Sequence, residues 1–150
     1  MISSQSPRPA LQDKELTFIE HFSLLISDVG LPRATGKVLG LLLICEPHYQ
    51  AADVIQQQLK LSTGSVSSAL LMLQRLGFVH KVTRPEERRY YYELDPDCWR
   101  KIVEARKHQI RQGAILAQEG LTLNKDNSRL KGMKQLYEQA EKLLQGLELT

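Results

Sequence analysis

Apolar residues recur at steps of three and four positions near the start of the chain, which is the spacing of one face of an α-helix. The pattern predicts a helix over residues 13–29, ended by Gly30. Residues 1–12 lack this periodicity and are interpreted as a flexible lead. The apolar positions of the predicted helix are Phe18, Ile19, Phe22, Leu25, Ile26 and Val29.

The next predicted helix, residues 32–44, is apolar on most of its sides, so it is expected at the centre of the fold. Pro32 suits the first turn of this helix, because the N–H that proline lacks would be unpaired there in any case. Gly36 and Gly40 lie one turn apart and form a smooth strip that a neighbouring backbone can approach closely.

A short helix over residues 52–59 and a longer one within residues 61–77 are predicted on either side of a tight turn at Lys60 and Leu61. Ser62 is a favourable N-cap for the longer helix. One face of this helix is apolar, through Val66, Ala69, Leu70, Leu73 and Leu76. The opposite face carries Gly64, Ser67, Ser68, Leu71 and Arg75.

Two β-rich segments, residues 78–83 and 89–94, follow this helix and are joined by the polar residues 84–88. The pattern predicts a β-hairpin. Because side chains alternate across a strand, Tyr90 and Tyr92 are expected to pack beneath the hairpin, with Tyr91 on its other face.

Helical spacing resumes after Pro96 and predicts a long helix to about residue 120 and a last helix after the polar break at residues 124–128. Both helices carry long apolar stripes, which must be buried against something. A second copy of the chain related by a twofold axis is the expected cover, and packing onto the chain's own core is the alternative.

The order of elements predicts a helix-turn-helix followed by a wing. A recognition helix lies in a DNA major groove about 12 Å wide, so its exposed face must be slim and able to form hydrogen bonds. Small residues, most of them with a hydroxyl group, start the longer helix and continue along its outer face. They are candidates for DNA contact, and the alternative is that they form only an N-cap and a solvated surface. They are Ser62, Thr63, Gly64, Ser65, Ser67 and Ser68, with Leu71 and Arg75 further along the same face.

The hairpin supplies a second candidate surface for DNA. Arg84, Arg88 and Arg89 are the expected contacts to phosphates or to the minor groove. The alternative is cross-strand pairing of these arginines with glutamates of the same hairpin, which is expected to involve one of the three. The glutamates in question are Glu86, Glu87 and Glu93.

Three segments resemble the GbsR-like branch of the MarR-type winged helix-turn-helix transcriptional regulators. They are GLPRATGKVLGLLLI at residues 30–44, LSTGSVS at residues 61–67 and RPEERRYYY at residues 84–92. The resemblance covers about residues 18–121, and the three segments occur in the expected order. It implies an obligate homodimer whose terminal helices interlock, and regulation of transcription that responds to a small ligand or another signal.

Two positions depart from the pattern of that family. Its wing tip usually carries glycine after the proline, whereas this chain has Glu86 after Pro85, which weakens the case for deep insertion into the minor groove. Leu71 stands at an outward position where a polar or basic residue is usual. It is expected to contact either a thymine methyl group or protein.

Composition supports a globular protein and excludes several classes. The chain has 150 residues, 42% of them hydrophobic and 25% charged, which suits one domain with an apolar core. No apolar run reaches the ~18 residues of a membrane span, and residues 1–12 lack the apolar segment of a secretory signal, so a cytoplasmic location is expected. Basic residues outnumber acidic ones by ten to six between residues 75 and 111, which favours a polyanionic partner.

An enzyme is not expected, because the chain lacks the P-loop, GxGxxG and GxSxG motifs, and its four histidines are scattered. Neither a cofactor nor a metal is expected. Cys45 and His48 could seed a metal site, but further ligands are not identifiable, and a helix end with a turn is the preferred interpretation. Cys45 and Cys98 are interpreted as small apolar residues rather than a disulfide.

The predicted fold class is mostly α with a small β-hairpin wing, a winged helix-turn-helix flanked by N- and C-terminal dimerisation helices. Residues 13–150 are assigned to one domain, with dimerisation helices at 13–29 and 97–150 around a DNA-binding core at 30–96. The predicted function is a sequence-specific repressor of transcription that binds double-stranded DNA as a homodimer on a pseudo-palindromic operator. A small-molecule effector is a further candidate partner. The alternative is a winged-helix module that binds another protein and has no specific DNA site.

Overall fold

The computed structural model describes residues 10–146, so most of the predicted flexible lead lies outside the described residues. Contacts divide the chain into two compact units, residues 1–98 and residues 99–150. The helices and strands are, in order, α1 (Asp13–Asp28), α2 (Arg33–Ile44), β1 (Tyr49–Gln50), α3 (Ala52–Leu59), α4 (Thr63–Arg75), β2 (Val79–Thr83), β3 (Tyr90–Leu94), α5 (Cys98–Leu123) and α6 (Ser128–Gln145).

Helix α2 lies at the centre of the first unit, as its apolar sequence predicts. Val38, Leu39 and Leu41 on this helix are completely buried. The strip formed by its glycines receives α1: a Cβ atom added at Gly36 would lie 2.9 Å from the Cα atom of Ser23. Because no side chain other than hydrogen fits there, the glycines set the distance between the two helices.

Only part of the apolar surface of α1 packs against α2. Ile19, Phe22 and Ile26 are buried, whereas Phe18 and Leu25 remain 39% and 60% exposed. The predicted stripe is therefore wider than the face that this unit covers. The remaining apolar residues of α1 form a surface that the first unit does not bury.

The β-sheet has three antiparallel strands in the order β1-β3-β2, rather than the two strands of the predicted hairpin. Strands β2 and β3 pair from Val79 opposite Leu94 to Thr83 opposite Tyr90. Strand β1 has only two residues and pairs with Glu93 and Tyr92. Such a short strand has no alternating pattern by which it could be recognised in the sequence.

The structure reverses the expected positions of Tyr90 and Tyr91. Tyr91 is buried, and Tyr90 is 54% exposed, so the prediction that Tyr90 packs beneath the hairpin was wrong. The ring of Tyr49 in β1 meets the ring of Tyr91 edge to face, with their centroids 5.2 Å apart. Strand β1 thus pairs with the edge of β3 that an isolated hairpin would leave open and brings Tyr49 against Tyr91.

The second unit is an antiparallel hairpin of α5 and α6, in which glycines of α5 face large side chains of α6. A Cβ atom at Gly113 would overlap the ring of Tyr137, and one at Gly120 would lie 2.9 Å from Leu130 Cδ1. Arg111 and Glu141 form an ion pair between the helices, with Nε and Oε1 3.1 Å apart. Helix α5 ends at Leu123, slightly beyond the predicted end.

The succession of helices, with a helix-turn-helix followed by a small antiparallel sheet, is the winged-helix fold. Strands β2 and β3 form the wing. No helix within residues 10–146 is long and apolar enough to cross a lipid bilayer.

Candidate nucleic-acid interface

Helices α3 and α4 are joined by the tight turn predicted at Lys60 and Leu61. Lys60 caps the C-terminus of α3 in the left-handed conformation, with φ at 53°. The N–H of Leu61 then donates to the carbonyl oxygen of Gln56 over 3.2 Å. Across the turn, the Thr63 hydroxyl donates to Gln56 Oε1 over 3.1 Å. These bonds hold the two helices of the helix-turn-helix in register.

The N-terminus of α4 is capped as its sequence predicts. Ser62 Oγ accepts a hydrogen bond from the backbone N–H of Ser65 over 3.1 Å and donates one to Ser65 Oγ over 2.9 Å. The hydroxyls of Ser62, Thr63 and Ser65 therefore serve the turn itself. Any contribution they make to binding a ligand adds to this structural role.

The outer face of α4 is exposed along its whole length. Ser67 and Ser68 on this face have no side-chain hydrogen bond to any residue between 10 and 146. A Cβ atom added at Gly64 would meet nothing within 4 Å, so another molecule can approach the backbone there. Leu71 is 47% exposed, and Arg75 lies exposed in the last turn. The inner face, through Val66, Ala69, Leu70 and Leu73, is buried.

The tip of the wing is a four-residue turn from Arg84 to Glu87. The N–H of Glu87 donates to the carbonyl oxygen of Arg84 over 3.2 Å. Pro85 and Glu86 occupy the middle positions, and Glu86 has a φ of 66°. A positive φ after proline is the pattern of a type II turn, which favours glycine at that position. The geometry therefore explains why glycine is usual where this chain has Glu86.

Two of the three wing arginines have partners within the first unit. Arg89 forms an ion pair with Asp53 of α3. The guanidinium carbon of Arg84 lies 4.4 Å from the ring centroid of Tyr49. A glutamate of the hairpin was expected to pair with one arginine, but the carboxylate that does so, Asp53, comes from α3. Arg88 is exposed and has no ion pair with any residue that the structure describes.

One of the two acidic residues at the wing tip, Glu87, interacts with Tyr91 of β3. A hydrogen bond with the Glu87 carboxylate raises the pKa of Tyr91 above its ordinary value of 10.0. Burial of the phenol and the negative charge of Glu87 act in the same direction, and Arg89 and Arg84 oppose them. Glu87 thus interacts with the sheet, and both Glu86 and Glu87 are exposed at the tip.

Several residues that shape this surface were missed by sequence reasoning. Asp53 and Tyr49 hold wing arginines although they are far from them along the chain, and no local pattern marks such contacts. Lys60 and Lys81 add exposed positive charge near the turn and on the wing. Lys60 could have been noticed, because it directly precedes the segment that caps α4.

The possible metal site at Cys45 and His48 gains no further ligand from the fold. Within residues 10–146, no three side chains of His, Cys, Asp or Glu are grouped as a metal ion would require. Cys45 and Cys98 are not joined by a disulfide, and Cys98 is buried.

Comparison with known proteins relates the chain to regulators of transcription. It is 27% identical over 134 residues to the HTH-type transcriptional regulator MmpR5 of Mycobacterium tuberculosis, across 86% of this chain and 81% of that protein. The crystal structure of a transcriptional regulator matches with a TM-score of 0.66 and 26% identity, across 88% of this chain and 93% of the other. No family model matches the chain. These likenesses relate the chain to helix-turn-helix regulators of transcription and show the fold directly.

Proposed function

We propose that this chain regulates transcription by binding a specific site on duplex DNA as a homodimer, and that it acts as a repressor. The observation that carries the proposal is the outer face of α4, which is slim, polar and uncovered on a winged-helix fold. The two transcriptional regulators that the chain resembles over most of its length support the same conclusion.

Helix α4 serves as the recognition helix in this proposal. Ser67, Ser68 and Arg75 supply donors for base edges and phosphates, and Leu71 supplies an apolar contact for a thymine methyl group. The N-terminus of α4 contributes its unpaired N–H groups and the positive end of the helix dipole to a phosphate. Gly64 leaves room for that approach. Ser62, Thr63 and Ser65 frame the same N-terminus and complete the proposed contact surface.

The wing contributes mainly through Arg88. Its guanidinium has no ion pair among the described residues and is therefore available for a phosphate. Arg84 and Arg89 act chiefly as positioning residues, since Tyr49 and Asp53 hold them against the first unit. They lie close enough to Arg88 in sequence to add positive charge to the same surface.

A homodimer accounts for the apolar surface that the chain leaves uncovered. The exposed apolar residues of α1 and its C-cap include Leu16, Phe18, Leu24, Leu25 and Val29. On α6, Leu136 and Leu143 are 64% and 77% exposed. An isologous interface buries such surfaces on both copies at once. Two recognition helices would then enter successive major grooves, about 34–36 Å apart, on a pseudo-palindromic operator.

The resemblance noted in the sequence also suggests the branch of the family, the location of the protein and the way it is regulated. We place the chain in the GbsR-like branch and in the cytoplasm, where bacterial DNA is accessible, and assign it no catalytic role. A small-molecule effector would shift the population between dimers with competent and incompetent spacing of their recognition helices. The segments at residues 30–44 and 84–92 support this branch.

Selection from a library of random duplexes, against excess competitor and at two salt concentrations, tests the function. Enrichment of an inverted repeat with half-sites about one helical turn apart is expected. Recovery of no motif, with binding lost near physiological salt, would contradict the proposal and favour the protein-interaction module. The oligomeric state is tested by light scattering on the double variant Leu136→Glu/Leu143→Glu, which we expect to be monomeric. Leu71→Glu is the matched control and should remain dimeric.

A further inference from the structure

The wing loop, residues 84–89 between β2 and β3, begins and ends with an arginine that lies over a tyrosine ring. The guanidinium carbon of Arg84 is 4.4 Å from the ring centroid of Tyr49. That of Arg89 is 6.0 Å from the ring centroid of Tyr91, at the outer limit of such contacts. The two rings meet edge to face, with their centroids 5.2 Å apart. Both ends of the wing loop therefore contact one pair of tyrosines.

The register of the sheet brings these two tyrosines together. Tyr49 of β1 stands opposite Glu93 of β3, and Tyr91 lies two residues before Glu93. Residues two apart on a strand point to the same face, and diagonal neighbours on adjacent strands are within reach of aromatic side chains. Tyr91 is buried and Tyr49 is half-buried, so the tyrosine pair belongs to the packed sheet rather than to the exposed loop.

The contact with Tyr49 is of particular weight for Arg84. Arg89, at the other end of the loop, also has an ion pair with Asp53, whereas Arg84 has no ion pair with any residue that the structure describes. A guanidinium is attracted to the negative face of an aromatic ring, and the attraction is modest at an exposed site. It nevertheless restricts the rotamers of a long and otherwise free side chain.

We infer that Tyr49 is a positioning residue for DNA binding and that it acts through Arg84. The ring holds the first residue of the wing loop against the sheet, and Asp53 holds Arg89, the last one. Arg88 lies between these two fixed points and is thereby presented to a phosphate. A loop that is already ordered loses less conformational entropy when it binds. The role in DNA binding rests on the proposed function, whereas the contact between Tyr49 and Arg84 does not.

Operator titrations of two variants at Tyr49 test the inference. Tyr49→Leu keeps an apolar side chain but removes the π face, and it should lower operator affinity about two- to fivefold. Tyr49→Phe should bind as the unchanged chain does, because both contacts are made by the ring rather than by the hydroxyl. Unchanged affinity in Tyr49→Leu, or equal losses in the two variants, would overturn the inference.

The matched control is a tyrosine on the other face of the sheet. Tyr90 is 54% exposed and lies next to Tyr91 in β3, so its side chain points away from the tyrosine pair. Tyr90→Leu should bind the operator as the unchanged chain does. A loss as large as that of Tyr49→Leu would mean that any aromatic ring of the wing supports binding, which would contradict a specific role of Tyr49.

A double-mutant cycle separates positioning from a general loss of packing. If Tyr49 acts through Arg84, Tyr49→Leu should cause no further loss of operator affinity in the Arg84→Ala background. The same two- to fivefold loss in both backgrounds would overturn the inference, because Tyr49 would then act through the stability of the sheet. Thermal unfolding monitored by circular dichroism establishes that every variant is folded at the temperature of the titrations.

Proton NMR of the full chain without DNA tests the contact by itself. Protons above the face of an aromatic ring resonate upfield, so the side-chain δ protons of Arg84 should be shifted upfield in the unchanged chain and in Tyr49→Phe. Tyr49→Leu should abolish the shift. Its absence from the unchanged chain would overturn the inference. Its presence, with no operator selected under any condition, would overturn the proposed function and the role in DNA binding together, while the contact itself would stand.

Discussion

The guanidinium of Arg89 in the wing forms an ion pair with the carboxylate of Asp53 in α3. This pair joins the wing to the first helix of the helix-turn-helix, so both parts of the candidate interface are held in one arrangement. Both side chains are about half exposed, and the pair is therefore worth little to the stability of the fold. Its importance lies in the position of the wing, and the neighbouring Arg88 has no ion pair with any residue that the structure describes.

Arg88 has no ion pair among the described residues, whereas Arg89 is paired with Asp53. Variants at Arg88 and Asp53 should therefore change the salt dependence of operator binding differently. Arg88→Ala should lower operator affinity and reduce the slope of log affinity against log salt by about one, because one phosphate contact is lost. Asp53→Asn should lower operator affinity, because the ion pair that positions the wing is lost. It should leave the slope unchanged, since it removes no positive charge from the interface. Filter binding or fluorescence anisotropy at several salt concentrations measures both. An unchanged slope in Arg88→Ala would mean that Arg88 contacts no phosphate.

The outer face of α4 predicts the effect of a negative charge at its centre. Ser67→Glu should abolish operator binding, because it places a carboxylate against the DNA backbone, and it should leave the dimer intact. Ser128→Glu, at the exposed start of α6, is the matched control and should bind normally. Electrophoretic mobility shift and light scattering check the two properties. Retained affinity in Ser67→Glu would rule out α4 as the recognition helix.

The wing tip predicts two separable effects of Glu86. Its positive φ costs an L-residue about 1 kcal/mol, so Glu86→Gly and Glu86→Asn should raise the free energy of unfolding, partly offset in glycine by chain entropy. Glu86→Gln should change stability little. All three should increase operator affinity, because each removes a negative charge from the tip. Urea unfolding and DNA titration of the three variants measure the two effects independently. No gain in affinity in any of them would show that the tip stays away from DNA.

Close packing in the second unit predicts opposite effects at two helical glycines. Gly113→Ala should destabilise the protein by about 1–3 kcal/mol, because the new methyl group overlaps the ring of Tyr137. Gly132→Ala meets nothing within 4 Å and should stabilise it by about 1 kcal/mol through helix propensity. Thermal unfolding of both variants gives the comparison. If Gly113→Ala were as stable as Gly132→Ala, the two helices would not approach as closely as the structure shows.

The raised pKa of Tyr91 predicts a loss of stability in alkali. Well below pH 10.0 the phenol is neutral in both folded and unfolded chains, so its interaction with Glu87 contributes fully. As the pH rises toward the folded-state pKa, the unfolded chain ionises first and is favoured. The difference in unfolding free energy between the unchanged chain and Tyr91→Phe should therefore shift in favour of Tyr91→Phe between pH 8 and about pH 11. Urea titrations at the two values measure it, and a constant difference would contradict the assignment.

Local signals account for the parts of this fold that the sequence predicted correctly. The period of apolar residues identified the helices, Ser62 marked the start of α4, and Gly36 and Gly40 marked the place where α1 approaches α2. Each of these signals acts within a few residues or one helical turn. The exposed face of α4 follows from the same periodicity, and so the candidate recognition residues could be named before the fold was known. Their contacts with DNA stay a prediction.

The tertiary structure alone decided what depends on residues far apart in the chain. The two residues of β1 have no pattern of their own, yet they pair with β3 and bring the ring of Tyr49 against that of Tyr91. Asp53 pairs with an arginine 36 positions away, where the sequence offered three nearer glutamates. Short-range periodicity is set by backbone geometry and can be read along the chain. Partners across a sheet or between elements are determined by how the whole core packs, and no local sequence pattern identifies them.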